Sequence, residues 1–180
     1  MNNLKTAPVG IDSHINDFQT YLYNKLKTTW NVTDLEFEMF GRAYRNQTDD
    51  GYTPERYVGN KEYKDLYWDD KLKAMAFFGV KEDSQVNAGT LTSDCFLIFM
   101  VNLQQLKPAN ERKDEEIRND VQRLCIAMKS GFIFSGFKTG IDSVFSEYSG
   151  WKKTIGMKFK DHYPLHCFRL DFKVTYSVYD

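Results

Sequence analysis

The last part of the chain, residues 165–179, alternates apolar and polar side chains almost without interruption. Successive side chains of a β-strand point to opposite faces, so this pattern predicts a long strand with one buried and one solvated face. A face left in water is typical of antiparallel sheets, and the segment therefore favours an antiparallel sheet. The buried set is predicted to comprise His166, Phe168, Leu170, Phe172, Val174, Tyr176 and Val178, and the solvated set Arg169, Asp171, Lys173, Thr175 and Ser177.

Three stretches predict helices. In residues 13–30 the apolar side chains recur at steps of three and four, and Ser13 is a candidate N-cap. Residues 111–129 show the same period, with acidic residues in the first turn and Lys129 near the end, the order that the helix dipole favours. Residues 140–150 predict a short third helix. The apolar stripes of the two longer helices are Ile15, Phe18, Leu22 and Leu26, and Ile117, Val121, Leu124 and Met128.

Further segments predict strands, and their order fixes the fold class. The strand-like segments are 35–40, 62–68, 73–80 and 93–103, and the continuous apolar centre of the last indicates a strand covered on both faces. Residues 81–92 are polar and predict a connection, whereas residues 1–12 predict a flexible or partner-contacting arm. We therefore expect one α+β domain over residues 1–180, a mainly antiparallel sheet with two longer helices and one short helix packed on one face.

Charge and cysteine usage exclude several classes of protein. Lys and Arg number 24 against 25 Asp and Glu, a net charge of −1, without the basic surplus that general nucleic-acid binding requires. Cys95, Cys125 and Cys167 are odd in number and widely spaced, which is typical of buried thiols in a reducing compartment. Residues 1–10 lack the pattern of a signal peptide, and the longest apolar run, residues 96–101, is too short to span a bilayer. We expect a protein made in a cytoplasm, with no membrane partner.

The candidate chemical groups near the end of the chain do not combine into a site. On a strand His162 and His166 would lie about 13 Å apart, too far to share one metal ion. Cys167 is adjacent to His166, but neighbouring side chains on a strand point to opposite faces, so the two do not form a nucleophile–base pair. Acidic pairs at 49–50 and 69–70 fit turns, where aspartate binds local backbone amides. We predict no catalytic residue, no cofactor and no metal ligand.

The most distinctive segment is residues 41–60, which are rich in Asn, Asp, Gly and Arg and include Pro54. This composition predicts a long excursion loop, and such loops are uncommon in compact domains unless they have a function. Arginine and tyrosine anchor protein interfaces, because a planar guanidinium or a rigid ring makes contact at low entropy cost. A solvated loop folded on its own sheet is the alternative, and Trp151 is either a core residue or an exposed anchor. The candidate interface residues are Arg42, Arg45, Tyr52, Arg56, Tyr57 and Trp151.

The order of elements resembles the neck proteins of tailed bacteriophages, the tail-terminator and head–tail connector (tail-completion) group. The resemblance is based on the first helix, a strand followed by a long loop, the strand at 94–103, the helix at 114–128 and the closing strand at 168–176. The runs Phe77-Phe78-Gly79-Val80 and 140–150 are similar to segments of virion proteins from phages of gut bacteria. The long loop and the extra short helix depart from the family pattern.

The resemblance implies a non-enzymatic ring subunit of the virion, assembled in the host cytoplasm. Its partners would be copies of itself in a closed ring and adjacent portal, connector or tail-tube proteins, with DNA passing through unbound. Replacing Arg42, Arg45 and Arg56 together is expected to abolish assembly without changing the circular dichroism. Two alternatives stay open: a small metal-dependent or hydrolytic enzyme built around Asp161, His162, His166 and Cys167, and a host-encoded binding domain.

Overall fold

A computed structural model describes residues 1–60, 62–87, 89–107, 112–128, 131–151 and 159–177. The helices are α1 (Ile11–Thr29), α2 (Leu103–Leu106), α3 (Asp114–Ala127) and α4 (Ile141–Val144). The strands are β1 (Asn2–Asn3), β2 (Phe37–Arg42), β3 (Tyr44–Thr48), β4 (Gly51–Gly59), β5 (Glu62–Asp65), β6 (Ala74–Asn87), β7 (Thr90–Asn102), β8 (Phe132–Thr139) and β9 (Leu165–Ser177). Among these described helices, none combines the length and apolar character that crossing a membrane requires.

The predicted α+β class is confirmed, with a six-stranded sheet at the centre and a separate three-stranded sheet. The main sheet has the order β1-β2-β6-β7-β9-β8, and the small sheet has the order β3-β4-β5. Strands β1, β2 and β6 pair in parallel, because α1 and the small sheet lie between them along the chain. The pairings of β7 with β6 and β9, and of β8 with β9, are antiparallel.

Both faces of the main sheet are covered, which corrects the expectation that all helices lie on one face. Phe77 and Phe78 are adjacent on β6 but belong to two different apolar clusters, as the strand period requires. The cluster around Phe78 contains the buried stripes of α1 and α3. The cluster around Phe77 contains Val144 of α4 and the segment that follows it. The short helix therefore packs on the face opposite the two longer ones.

The predicted stripe of α1 is confirmed, and that of α3 is confirmed in part. Helix α1 buries Ile15, Phe18, Leu22 and Leu26, and ends at Trp30 as predicted. It begins two residues before the expected cap, with Gly10 rather than Ser13 at the N-cap position. In α3 the fully buried side chains are Ile117, Val121 and Cys125, whereas Leu124 and Met128 are only partly buried. The predicted end residues 111 and 129 lie outside the described residues.

The predicted C-terminal strand is confirmed as β9. Its predicted solvated face, however, is buried over the first half of the strand. Cys167 and Arg169 point to the face opposite Phe168, yet both are completely buried. Cys167 belongs to the apolar cluster that contains Val144, and Arg169 lies against Ser146. The face becomes wet only from Asp171 onward, because the segment after β8 covers the first half of the strand. The last predicted positions, 178 and 179, lie outside the described residues.

Two strand predictions were wrong or missing. Residues 81–92 are not a connection, because β6 continues to Asn87 and pairs with the start of β7, Val86 lying opposite Leu91. Strand β8 was not predicted at all. Its register against β9 shifts between Phe134 and Gly136, and this bulge interrupts the alternation from which the strand could have been recognised.

The N-terminal segment is not a free arm. Asn2 and Asn3 pair in parallel with Met39 and Phe40 of β2. The amide nitrogen of Gln19, a fully buried side chain, donates to the Asn2 side chain at 2.8 Å and to the Asn3 and Met39 carbonyls at 3.0 Å. A buried amide must find partners inside the protein, so these bonds tie the segment to α1 and β2.

Candidate functional site

Residues 41–60 form most of the three-stranded sheet rather than the predicted loop. Strands β3 and β4 are joined by a tight turn at Asp49–Asp50, and Gly51 follows with φ +116°, a value that side chains disfavour. The hairpin tip is held against the segment after α4. The backbone N–H of Gly150 donates to the Tyr52 carbonyl at 2.8 Å, and the Tyr52 N–H donates to Ser149 Oγ at 3.2 Å. The small sheet is therefore anchored to the segment that follows α4.

Three of the candidate interface residues, Arg45, Tyr52 and Arg56, pack on the inner face of the small sheet. The Arg45 guanidinium lies 4.0 Å from the centre of the Tyr52 ring, and that of Arg56 lies 4.2 Å from the centre of the Phe40 ring. Buried Leu66, which follows β5, donates its N–H to the Pro54 carbonyl beside them. Burial lowers the pKa of Arg56, opposed by the nearby charge of Glu38.

The outer face, which we call the tyrosine face, presents Tyr44, Asn46, Thr53, Glu55, Tyr57, Tyr63 and Asp65, with Tyr67 beside it, and of these Thr53 is buried. These residues share a side because directly paired strand residues point the same way and every second residue follows them. The ring of Tyr63 lies 5.5 Å from that of Tyr44 and 5.4 Å from that of Tyr57. At one end the Arg42 guanidinium lies 4.8 Å from the Tyr44 ring centre.

The tyrosine face contains two carboxylates in register. Glu55 of β4 is paired directly with Asp65 of β5. Their partners are neutral donors: Asn46 Nδ2 donates to Glu55 Oε1 at 2.7 Å, and the Tyr67 hydroxyl donates to Asp65 Oδ2 at 3.1 Å. Partial burial, and then the charge of Asp65, raise the pKa of Glu55. Within the described residues no lysine, arginine or histidine forms an ion pair with either carboxylate.

We expect the substitution Glu55→Gln to stabilise the fold at pH 7 by about 0.5 kcal/mol, since like charges directly opposite on neighbouring strands are destabilising. Glutamine keeps the oxygen that accepts from Asn46. Because the folded-state pKa of Glu55 is raised, its charge opposes folding above that pKa. The gain should therefore fade as the pH drops below about 4, where both states are protonated. Thermal unfolding across this pH range measures the effect.

The matched control is Glu62→Gln, at the start of the same strand. Glu62 is exposed and lies 3.9 Å from Lys64 Nζ, so its neutralisation should change stability by less than about 0.5 kcal/mol in either direction. A loss of stability in Glu55→Gln at pH 7, with Glu62→Gln unchanged, would show that the carboxylate pair is not repulsive.

Trp151 is a core residue. Its side chain is 1% exposed, and its ring stacks on that of Phe145 with centroids 3.8 Å apart and an interplanar angle of 11°. It borders a cavity of about 290 Å³ together with Ile141, Asp142, Ser146, Tyr148 and Ser149. Of the two interpretations of Trp151 made from the sequence, the structure supports the core residue, so it is not an exposed anchor.

The His–Cys cluster near the C-terminus is divided between the two faces of β9, as the strand period predicted. His166 Nδ1 lies 3.0 Å from Asp161 Oδ1, and the same oxygen accepts from the Cys167 backbone N–H. The Cys167 thiol points into the opposite apolar cluster, where burial raises its pKa. Among the described residues no group of three His, Cys, Asp or Glu is arranged to hold a metal ion.

The structure divides the candidate interface residues between the two sides of the small sheet and the core. Arg42 and Tyr57 lie on the outer side of the small sheet, whereas Arg45, Tyr52 and Arg56 are used inside it. The candidate set omitted the tyrosines at positions 44, 63 and 67 and the acid at 65. Alternation along β3 and β5 was the available signal, but each strand is short and polar on both sides. No known protein-family model matches this chain, and its sequence matches none of the curated proteins.

Proposed function

We propose that this chain is a structural protein of a tailed-bacteriophage virion, a ring-forming subunit of the neck that serves as head–tail connector or tail terminator. It acts by protein–protein assembly, without catalysis. Its partners are copies of itself in a closed ring and the adjacent portal, connector or tail-tube proteins, and DNA passes through the ring without specific binding. It is made and assembled in the host bacterial cytoplasm.

The tyrosine face is the observation that carries this proposal. Tyr63 on β5 is 47% exposed and Tyr67, just after that strand, is 55% exposed. The sheet itself is fixed by the hydrogen bonds of Tyr52 with Ser149 and Gly150. Tyrosine is enriched at protein interfaces, where a rigid amphipathic ring contributes contact area at low entropy cost. A platform already held in place loses little further freedom when a partner binds, which favours affinity.

The overall charge and the element order also support a ring subunit. A net charge of −1 suits a channel through which DNA must move, because a strongly basic surface would retain the phosphates. A closed ring requires a head-to-tail contact between two different surfaces of the same chain, and the tyrosine face supplies one of them. The succession of α1, β2, β7, α3 and β9 keeps the element order on which the resemblance to neck proteins is based, with the small sheet in the place of the predicted long loop.

Native mass spectrometry over a concentration series tests the proposal. We expect a discrete oligomer whose mass corresponds to a closed ring and whose population rises with concentration. A distribution of open, unlimited oligomers, or a monomer at every concentration, would contradict the self-assembling ring.

The double substitution Tyr63→Ser and Tyr67→Ser tests most directly whether the tyrosine face takes part in assembly. Losing an aromatic hot spot at an interface costs about 2 kcal/mol or more, so the midpoint concentration of assembly should rise at least about tenfold. Both side chains are exposed, and the circular dichroism should not change. We prefer this pair to the three arginines, since Arg45 and Arg56 pack inside the small sheet and their loss would also affect folding.

Leu35→Ser is the matched control. Leu35 is an 80% exposed apolar residue that precedes β2, whereas the small sheet follows the other end of that strand. Its substitution removes exposed apolar area without touching the tyrosine face, and assembly should be unchanged. Equal effects of the control and the double variant would contradict a specific role for the tyrosine face.

A further inference from the structure

The tyrosine face contains two carboxylates that form no ion pair within the described part of the chain, although Arg42 contacts the Tyr44 ring at one end of the face. Glu55 and Asp65 lie directly opposite each other, where side chains in register have Cβ atoms about 4.5–5.5 Å apart. Their hydrogen-bond partners, Asn46 and Tyr67, are neutral. Several carboxylates elsewhere in the described residues pair with cations, as in Lys73–Glu36 at 2.8 Å and Lys107–Asp120 at 2.8 Å.

This arrangement is unfavourable in the isolated chain. Like charges opposite each other on neighbouring strands destabilise a sheet, and a basic residue at either position would remove the repulsion. Departures from such local rules are expected at functional sites, where the group serves a partner rather than the fold. Glu55 and Asp65 are therefore placed to bind a cation that a partner supplies.

The surrounding rings indicate which cation fits best. Tyr57 and Tyr63 are the next residues along β4 and β5 on the same face, so aromatic rings lie directly beside the two carboxylates. A guanidinium stacks on an aromatic face while its planar edge donates two parallel hydrogen bonds to a carboxylate. An ammonium group lacks this flat edge and is more strongly hydrated.

The chain already uses this combination internally. The Arg169 guanidinium lies 3.9 Å from the centre of the Phe96 ring, and its Nε donates to Asp171 Oδ1 at 2.6 Å. On the tyrosine face the rings of Tyr57 and Tyr63 lie beside the two carboxylates. Arg42 contacts the Tyr44 ring at the end of this face, and among the described residues no arginine forms an ion pair with Glu55 or Asp65.

We propose that the tyrosine face binds an arginine side chain from an extended, basic segment of a partner protein, with the guanidinium between Glu55 and Asp65 and against a tyrosine ring. The inference rests on the proposed role in assembly, because it names the chemistry of the partner at the same surface. An extended segment fits, since Tyr63 and Tyr67 are exposed and the two partly exposed carboxylates are paired across neighbouring strands.

The test is a titration of ¹⁵N-labelled protein with the peptide acetyl-Gly-Arg-Gly-Arg-Gly-amide, followed by NMR chemical shifts. We expect saturable shifts confined to β3, β4 and β5. Replacing arginine by citrulline, which is neutral and nearly isosteric, should weaken binding at least about tenfold, since charge-assisted bidentate bonds are lost. The variant Glu55→Gln with Asp65→Asn should weaken binding of the arginine peptide similarly, while Glu62→Gln should stay within about twofold because its carboxylate lies outside the pair.

Equal binding of the citrulline peptide, or unchanged binding in the double variant, would overturn the inference. Shifts at the tyrosine face with a neutral oligosaccharide such as cellotriose, and none with the peptide, would overturn it in favour of a sugar. The NMR titration measures peptide binding at the tyrosine face whether or not the chain assembles into a ring. A ring in native mass spectrometry without peptide binding would therefore defeat this inference alone, and peptide binding by a strict monomer would defeat the ring alone.

Discussion

The substitution Gly79→Ala is expected to lower the free energy of unfolding by about 3 kcal/mol, or the Tm by about 10 °C. Gly79 on β6 is paired directly with Phe96 on β7, and the Phe96 ring lies across the glycine. A Cβ atom at position 79 would overlap three atoms of that ring. The ring cannot move aside, because Arg169 lies against it at 3.9 Å and Tyr148 packs at 6.0 Å between centroids. Chemical denaturation of both proteins measures the difference.

Two comparisons make this prediction specific. Gly136 on β8 is a strand glycine whose added Cβ would meet Asp171 at 3.6 Å, an ordinary contact, so Gly136→Ala should change stability by less than about 1 kcal/mol. In the background Phe96→Leu the overlapping ring is absent, and Gly79→Ala should then cost less than about 1 kcal/mol, since contacting residues couple. An equally large cost in both backgrounds would show that the glycine is required for another reason.

The second large effect is expected for Arg169→Met, a loss of about 3 kcal/mol. Arg169 is completely buried, and its guanidinium binds Asp171 at 2.6 Å, lies 3.6 Å from Glu147 and is 3.3 Å from Ser146 Oγ. Methionine fills a similar volume but leaves two carboxylates, only about a quarter or less exposed, without the buried guanidinium, and only the partly exposed Lys138 then lies near Asp171. Breaking a buried pair by removing one partner is costly for this reason.

Neutralising the carboxylates should recover much of this loss. In the triple variant Arg169→Met, Glu147→Gln and Asp171→Asn, we expect at least half of the lost stability to return, because no unpaired charge remains in the buried site. Lys138→Met is the control: Lys138 is 38% exposed and lies 3.7 Å from Asp171, so its loss should cost less than about 1 kcal/mol. If the triple variant were as unstable as Arg169→Met, packing rather than charge would account for the role of Arg169.

The sequence determined the elements whose periodicity is local. The stripe of α1 is buried as predicted, and so are Ile117 and Val121 of α3, because a helix repeats its core face every three or four residues and packing of that face stabilises it. The apolar centre of β7 lies between two strands and under cover on both faces, as a continuous apolar run requires. In each case the pattern of residues close together in the sequence is sufficient to predict the element and its buried side.

The tertiary structure decided where residues distant in the chain meet. Residues 41–60 resembled a loop because Asn, Asp, Gly and Pro are turn residues, and their strands become visible only through pairing with one another and with β5. Alternation placed Arg169 on a solvated face, but the segment around Ser146, more than twenty positions earlier, covers it. The opposition of Glu55 and Asp65 likewise follows from strand register, which a sequence pattern specifies weakly when both faces of a strand are polar.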